Sequence, residues 1–99
     1  MDKARIRVDF NEMVDADTVM LSPTDTKTDS RGEVVTFYEG MSVGLYEEDV
    51  YENGEVDYLV AEGTVIRHDF DAYPFFPHVK WFCRIDSRGV RNQPELRRK

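Results

Sequence analysis

Two histidines and one cysteine are the most reactive side chains of this 99-residue chain. His68 and His78 lie ten positions apart, and Asp69 and Asp71 are close to the first of them. A zinc site needs three or four such ligands that converge on the ion, and this spacing corresponds to no known ligand pattern. We therefore predict no metal site and no cofactor.

Cys83 alternates with Trp81 and Ile85 along an extended segment. Alternate residues of a strand share one face, so Cys83 is predicted to lie in the core, where apolar surroundings raise the pKa of a thiol and make it inert. The sequence contains no Gly-rich phosphate loop and no Gly-x-Ser-x-Gly motif. We expect a protein that is not an enzyme. A single cysteine cannot form an intramolecular disulfide, which is consistent with the cytoplasm.

Acidic side chains cluster around Asn53-Gly54. The cluster consists of Glu47, Glu48, Asp49, Glu52, Glu55 and Asp57. Carboxylates bind Ca²⁺, but an EF-hand loop that began at Asp49 would have Tyr51 and Val60 at two ligand positions. We interpret the cluster as a solvated hairpin tip, with the alternative that it selects a basic partner.

Aromatic side chains are concentrated in residues 70–77, a segment that also contains Pro74 and Pro77 and that we call the aromatic loop. They are too many for so small a core, and exposed aromatic side chains are typical of recognition surfaces. The alternative is that the loop covers one end of the fold as a lid. The residues predicted to bind a partner belong to this loop and to the outward face of the following strand: Phe70, Tyr73, Phe75, Phe76, Lys80, Phe82 and Arg84.

The net charge of −7 is unevenly distributed along the chain. Residues 9–71 carry a balance of −14, whereas residues 80–99 carry +5. The acidic body is expected to repel nucleic acid. Association with nucleic acid or the ribosome through the basic C-terminal end is therefore an alternative function.

Alternation of apolar and polar residues predicts the elements that position these side chains. Residues 4–10 are predicted to form a strand with Ile6 and Val8 inward and Arg5 outward. Further strands are predicted at residues 18–21, 34–38, 41–51, 56–67 and 78–86. Asn53-Gly54 favours a type I′ hairpin, and Gly63 indicates a bulge or bend.

The polar residues 22–33 are predicted to form a surface loop, with a hairpin turn at residues 29–32 as the alternative. No stretch has helical spacing. These features predict an all-β fold with little or no helix, a small antiparallel barrel of five or six strands, SH3-like as the first choice and OB-like as the second. Residues 1–86 are expected to form the single domain and residues 87–99 a basic, flexible tail.

The sequence as a whole favours a non-catalytic binding module. We expect it to bind a protein or peptide through the aromatic loop and the adjacent strand, with the acidic hairpin selecting a basic partner. A metal- or small-ligand-binding domain is a further alternative. We expect a cytoplasmic protein that does not enter membranes and that is a monomer or a weak homodimer.

Overall fold

The computed structural model describes residues 3–71 and 74–93. These residues form strands β1 (Ile6–Arg7), β2 (Thr18–Ser22), β3 (Thr26–Thr28), β4 (Val34–Thr36), β5 (Ser42–Val50), β6 (Val56–Arg67), β7 (Trp81–Ile85) and β8 (Arg91–Asn92). No helix is found in either range, and thus none that could cross a membrane. The prediction of an all-β fold is confirmed.

The main sheet has the strand order β1-β5-β6-β7-β2 and curls into a half-barrel. All neighbours in this order are antiparallel except β1 and β5, which are parallel. β8 pairs with the first half of β6, whereas β7 pairs with the second half. The side chains inside the curl form the core, among them Val19, Leu45, Val65, Trp81 and Cys83.

The long β5–β6 hairpin turns where Asn53-Gly54 predicts a turn, but the turn class differs. Gly54 has a φ of 87°, and Asn53 is not among the non-glycine residues with positive φ. The amide of Gly54 donates to the carbonyl of Tyr51, and the amide of Tyr51 donates to that of Glu55. This is a type I turn followed by a glycine bulge, so the prediction of a type I′ turn is wrong.

The polar segment 22–33 is not a plain loop, because it contains β3 and leads through a turn into β4. Gly32 takes a φ of 84° in this turn, and the amides of Arg31 and Glu33 donate to Oδ1 of Asp29 at 2.8 and 3.0 Å. The alternative prediction of a hairpin turn at residues 29–32 is therefore confirmed. The β3–β4 pair forms a second, two-stranded sheet.

Lys27 of β3 connects the two ends of the half-barrel. β1 and β2 are the first and last strands of the sheet order. The ammonium of Lys27 donates to the carbonyl of Arg7 in β1 at 2.8 Å and to the carbonyl of Leu21 in β2 at 3.1 Å. A register shift between Met20 and Ser22 occurs at Leu21. One side chain thus bridges a gap that no strand pairing closes.

Position 63 must be glycine because β6 and β7 approach each other closely there, and not because of the predicted bulge. The register of β6 with β5 and with β7 is unbroken at Gly63. A Cβ atom there would lie 2.4 Å from the carbonyl oxygen of Arg84 and 2.6 Å from Sγ of Cys83. Only glycine lets β7 approach β6 so closely.

Both ends of the domain differ from the expectation. Arg5 was expected in solvent, but its side chain is buried, because its guanidinium donates to the carbonyls of Leu45 and Ala61. The domain was expected to end at residue 86, whereas β8 continues the sheet at Arg91–Asn92. Residues 94–99 of the predicted tail lie outside the described residues.

Candidate functional site

The aromatic loop leaves two large apolar side chains in contact with water. Phe70 is 56% exposed and Phe75 is 73% exposed. Both residues belong to the same loop, and exposed aromatic side chains are typical of a binding surface. These two side chains are therefore exposed and do not cover the core as a lid would.

His68 anchors the start of this loop in the fold. Its ring is buried, and its Nδ1 lies 2.6 Å from the carbonyl oxygen of Val79. A carbonyl only accepts hydrogen bonds, so Nδ1 carries the proton. The ring stacks on Phe70 with centroids 3.9 Å apart and also packs against Phe82 at 4.8 Å. His68 therefore positions the exposed Phe70 on a fixed base.

A cleft of about 310 Å³ lies beside Phe70, and we call it the aromatic cleft. Its lining includes Pro23, Arg67, Phe70, Pro77, His78 and Lys80. The guanidinium of Arg67 lies 5.4 Å from the centre of the Trp81 ring, within cation–π range. The cleft thus combines an apolar floor with a cationic wall.

Asp25 binds two side chains that follow the aromatic loop in the chain. Its carboxylate accepts from Nζ of Lys80 at 2.8 Å and from the indole N–H of Trp81 at 3.0 Å. The hydrogen bond from Lys80, followed by that from Trp81, lowers the pKa of Asp25 below its ordinary value. Lys80 is therefore neutralised locally, and Arg67 is the cation that remains for a ligand.

Phe76 has a backbone conformation that large side chains rarely adopt. Its φ of 63° is the only positive φ of a non-glycine residue in the described part of the chain. Such a conformation costs on the order of 1–3 kcal/mol, and strain of this kind concentrates at functional sites. The carbonyl of Phe76 accepts from the amide of Val79 at 3.0 Å, which holds the turn.

The structure brings only part of the predicted site together. Phe70 and Lys80 line the aromatic cleft, and Phe75 and the half-buried Phe76 belong to the same loop. Arg84 is exposed, but it lies farther along β7, paired with Thr64. Tyr73 lies outside the described residues.

Phe82 was predicted on an outward face that binds a partner, and this prediction of its exposure is wrong. Its side chain is 0% exposed. The reason is that His68 packs over its ring, so the residue supports the loop from below. The alternation pattern gives the direction of a side chain but not what covers it.

The other reactive residues of the sequence do not come together into a chemical centre. Within residues 3–71 and 74–93, no three His, Cys, Asp or Glu side chains are placed to hold a metal ion. Cys83 is buried, and burial, with a smaller contribution from the charge of Asp86, raises the pKa of its thiol to about 12. A thiol of this kind is a poor nucleophile at neutral pH.

The acidic hairpin serves the fold and lies far from the aromatic loop. Glu47 accepts from the amide of Phe10 at 3.1 Å, and the buried Asp57 accepts from the hydroxyl of Tyr51 at 3.1 Å. The hairpin tip and the aromatic loop are at opposite ends of β6, whose 12 residues span about 36 Å. A short bound segment therefore cannot touch both.

The sequence did not predict a cluster of charged residues that surrounds Glu62. Its members are Glu62, Lys3, Arg5, Arg88 and Arg91, which we call the Glu62 cluster. The carboxylate lies 2.7 Å from Nη1 of the buried Arg5 and in hydrogen-bond contact with Arg91. Lys3 and Arg88 are each 3.4 Å away.

Burial by itself would raise the pKa of Glu62, but the hydrogen bonds from Arg91 and Arg5 outweigh it and lower the pKa to about 2. The carboxylate is therefore ionised at any pH near neutrality. No local sequence pattern predicts this cluster, because its members come from three segments that are distant in sequence.

The aromatic cleft thus offers an apolar anchor point and a cation. Comparison of the chain with protein-family models, curated proteins and solved structures yields no significant match.

Proposed function

We propose that the protein is a binding module, and that the aromatic cleft receives an apolar side chain of a protein or peptide partner. The observation that carries this proposal is the 56% exposure of Phe70 in the lining of a cleft of about 310 Å³; Phe75 of the same loop is 73% exposed. Covering one such side chain contributes about 1.5–3 kcal/mol.

Arg67 defines the charge that the partner carries beside its anchor. The guanidinium is exposed at the rim of the cleft, whereas Lys80 is paired with Asp25. A carboxylate on the bound segment would complement Arg67. We therefore propose an acidic residue next to the apolar anchor, in place of the basic partner expected from the acidic hairpin.

The cellular location of the protein and the type of its barrel are part of the same proposal. The buried single Cys83 suits a reducing compartment, so we propose a cytoplasmic location. We retain the SH3-like arrangement as the kind of small barrel. Nucleic-acid binding through the C-terminal end gains no support, because Arg88 and Arg91 are engaged by Asp86 and Glu62.

The test is selection of peptides from a display library with matched variants. Wild-type protein is expected to enrich a motif with one apolar residue beside an acidic one. The double variant Phe70→Ala, Phe75→Ala is expected to lose at least tenfold in affinity for that motif, because it removes the two exposed aromatic side chains of the loop. Val34→Ala combined with Tyr38→Ala is the control, since these side chains are 71% and 61% exposed elsewhere.

Two further measurements test the charge preference and the location of the binding site. Arg67→Glu should invert the preference from acidic to basic residues beside the anchor. In an NMR titration, the enriched peptide should shift the signals of His68, Phe70 and Lys80. Equal enrichment by wild type and the Phe70/Phe75 double variant, or no enriched motif at all, would refute the proposal.

A further inference from the structure

The outer edge of β4 carries backbone groups that its neighbouring strand does not use. β4 pairs with β3 alone in the described part of the chain. The amide of Phe37 donates to the carbonyl of Asp25 at 2.8 Å, so Phe37 is a position bonded across the hairpin. Bonded and outward-pointing positions alternate along an antiparallel pair, and the N–H and C=O groups of Val34 and Thr36 therefore point away from β3. Within residues 3–71 and 74–93, these four groups have no hydrogen-bond partner.

The outer edges of the main sheet differ from this edge because other parts of the chain bond to them. The amide of Met20 in β2 donates to the carbonyl of Glu12 at 3.2 Å. In β1, the carbonyl of Arg7 accepts from the ammonium of Lys27. Soluble β proteins commonly block or charge their edges, because an open edge pairs with other chains. By this criterion the β4 edge is open.

The side chains along the β4 edge carry no charge. Residues 34–38 read Val-Val-Thr-Phe-Tyr, and β-branched and aromatic residues suit strands. Val34 and Tyr38 are 71% and 61% exposed, and Thr36 between them is exposed as well. Uncharged segments of high β propensity are the ones that pair with copies of themselves. Since no charged side chain of the segment selects a different partner, the edge fits a second copy of this chain.

We propose that the protein forms a homodimer in which the β4 edges of two copies pair antiparallel around a two-fold axis at Val35. Val34 then lies opposite Thr36 of the second copy, and each such pair exchanges two N–H···O=C hydrogen bonds. These bonds use all the outward groups of both edges. An axis at Val34 or at Thr36 would instead need the amide of Gly32 or the carbonyl of Tyr38, which are already bonded within the chain at 3.0 and 3.2 Å.

The contact closes after two copies. Each copy uses the same edge, so no β4 edge remains for a third chain. On the other side of the hairpin, the carbonyl of Thr26 accepts from the hydroxyl of Thr24 at 2.8 Å. A three-residue edge buries far less surface than the ~1,200 Å² of stable complexes. The dimer is therefore expected to exchange with the monomer as the concentration changes.

Charge makes the dimer sensitive to salt. The net charge of −7 on each copy opposes association. Added salt screens this repulsion, so it should strengthen the dimer, whereas it would weaken an association through opposite charges. Residues 34–38 do not line the aromatic cleft. The inference is therefore independent of the proposed binding function, and Val34→Ala with Tyr38→Ala remains a control for peptide binding.

The test is sedimentation velocity of the full chain over a series of concentrations, with a matched pair of variants. Wild type is expected to shift from monomer to dimer as the concentration rises into the millimolar range. Thr36→Pro removes an outward N–H without removing a bond to β3, and it should weaken the dimer about tenfold because each copy loses one donor. Thr26→Pro is the control, since Thr26 is the cross-strand partner of Thr36 on the other edge of the hairpin, and it should leave dimerisation unchanged.

Amide hydrogen exchange measured by NMR locates the contact in the wild type, whether or not the proline variants fold. The amides of Val34 and Thr36 should exchange fast in dilute samples and become protected at high concentration, and more so with sodium chloride. The amides of Thr26 and Thr28 should not change with concentration. A protein that stays monomeric into the millimolar range would overturn the proposal. So would a dimer that salt weakens, or one in which Val34 and Thr36 gain no protection.

Discussion

Around Glu62 the fold withdraws charged side chains from water, whereas in the aromatic loop it leaves apolar side chains exposed to water. Arg5 is 1% exposed, and Phe75 is 73% exposed. Both arrangements are unfavourable unless something compensates for them. In the Glu62 cluster the compensation is inside the molecule, since each buried charge has an opposite charge beside it. In the aromatic loop Phe70 and Phe75 remain exposed, and this difference supports our proposal that the loop binds a partner.

We expect the largest loss of stability when the carboxylate of Glu62 is removed. Glu62→Gln leaves the buried Arg5 without its counter-charge and should reduce the free energy of unfolding by about 3–5 kcal/mol. Urea denaturation measures this loss. Glu55→Gln at the exposed hairpin tip is the control and should change it little. Similar small effects for both variants would mean that the cluster does not stabilise the fold.

The same cluster predicts how stability depends on pH. The pKa of Glu62 falls from 4.5 to about 2 on folding, so the folded state binds this proton more weakly than the unfolded chain. Its contribution, about 3 kcal/mol, is complete above pH 4.5 and is lost as the pH falls toward 2. Denaturation at several pH values should show this loss in wild type and a flatter profile in Glu62→Gln.

A smaller loss of stability is expected for a change at the base of the aromatic loop. His68→Phe keeps an aromatic ring over Phe82 but leaves the carbonyl of Val79 without its donor. The expected loss is about 1–2 kcal/mol in the free energy of unfolding. His78→Phe is the matched control because His78 is exposed. Equal losses in both variants would show that the Nδ1 hydrogen bond does not hold the loop.

The smallest effect is expected at the exposed aromatics themselves. Phe70→Ala combined with Phe75→Ala should change the free energy of unfolding by less than about 0.5 kcal/mol per site, as is usual for surface positions. Thermal and urea denaturation check this. A loss of several kcal/mol would show that these side chains belong to the core, and the contrast between the two regions would then disappear.

The sequence predicted features that depend on neighbouring residues. Alternation located the strands, because the period of two follows from backbone geometry. Asn53-Gly54 located the main hairpin, although the turn class depends on how the strands twist into it. The segment 22–33 was ambiguous, since Thr and Ser suit both a loop and an edge hairpin.

Features that depend on residues distant in sequence were not predictable in this way. Arg5 and Glu62 are 57 positions apart, and nothing near either residue indicates the other. Phe82 was predicted outward and exposed, but His68 returns from another strand end to cover it. Of the candidate site, the exposure of Phe70 and Phe75 agrees with the prediction, whereas the burial of Phe82 was not predicted.

The bridge made by Lys27 has a consequence for self-association. An incomplete barrel presents edge carbonyls that a strand of another molecule can bind, which is how soluble β proteins begin to polymerise. Here the carbonyls of Arg7 and Leu21 are already taken by one ammonium. The Lys27 ammonium thus blocks both carbonyls. Acetylation of Lys27, or a Lys27→Met change, would leave them without this donor. We therefore expect the Lys27→Met variant to self-associate more readily than the wild type.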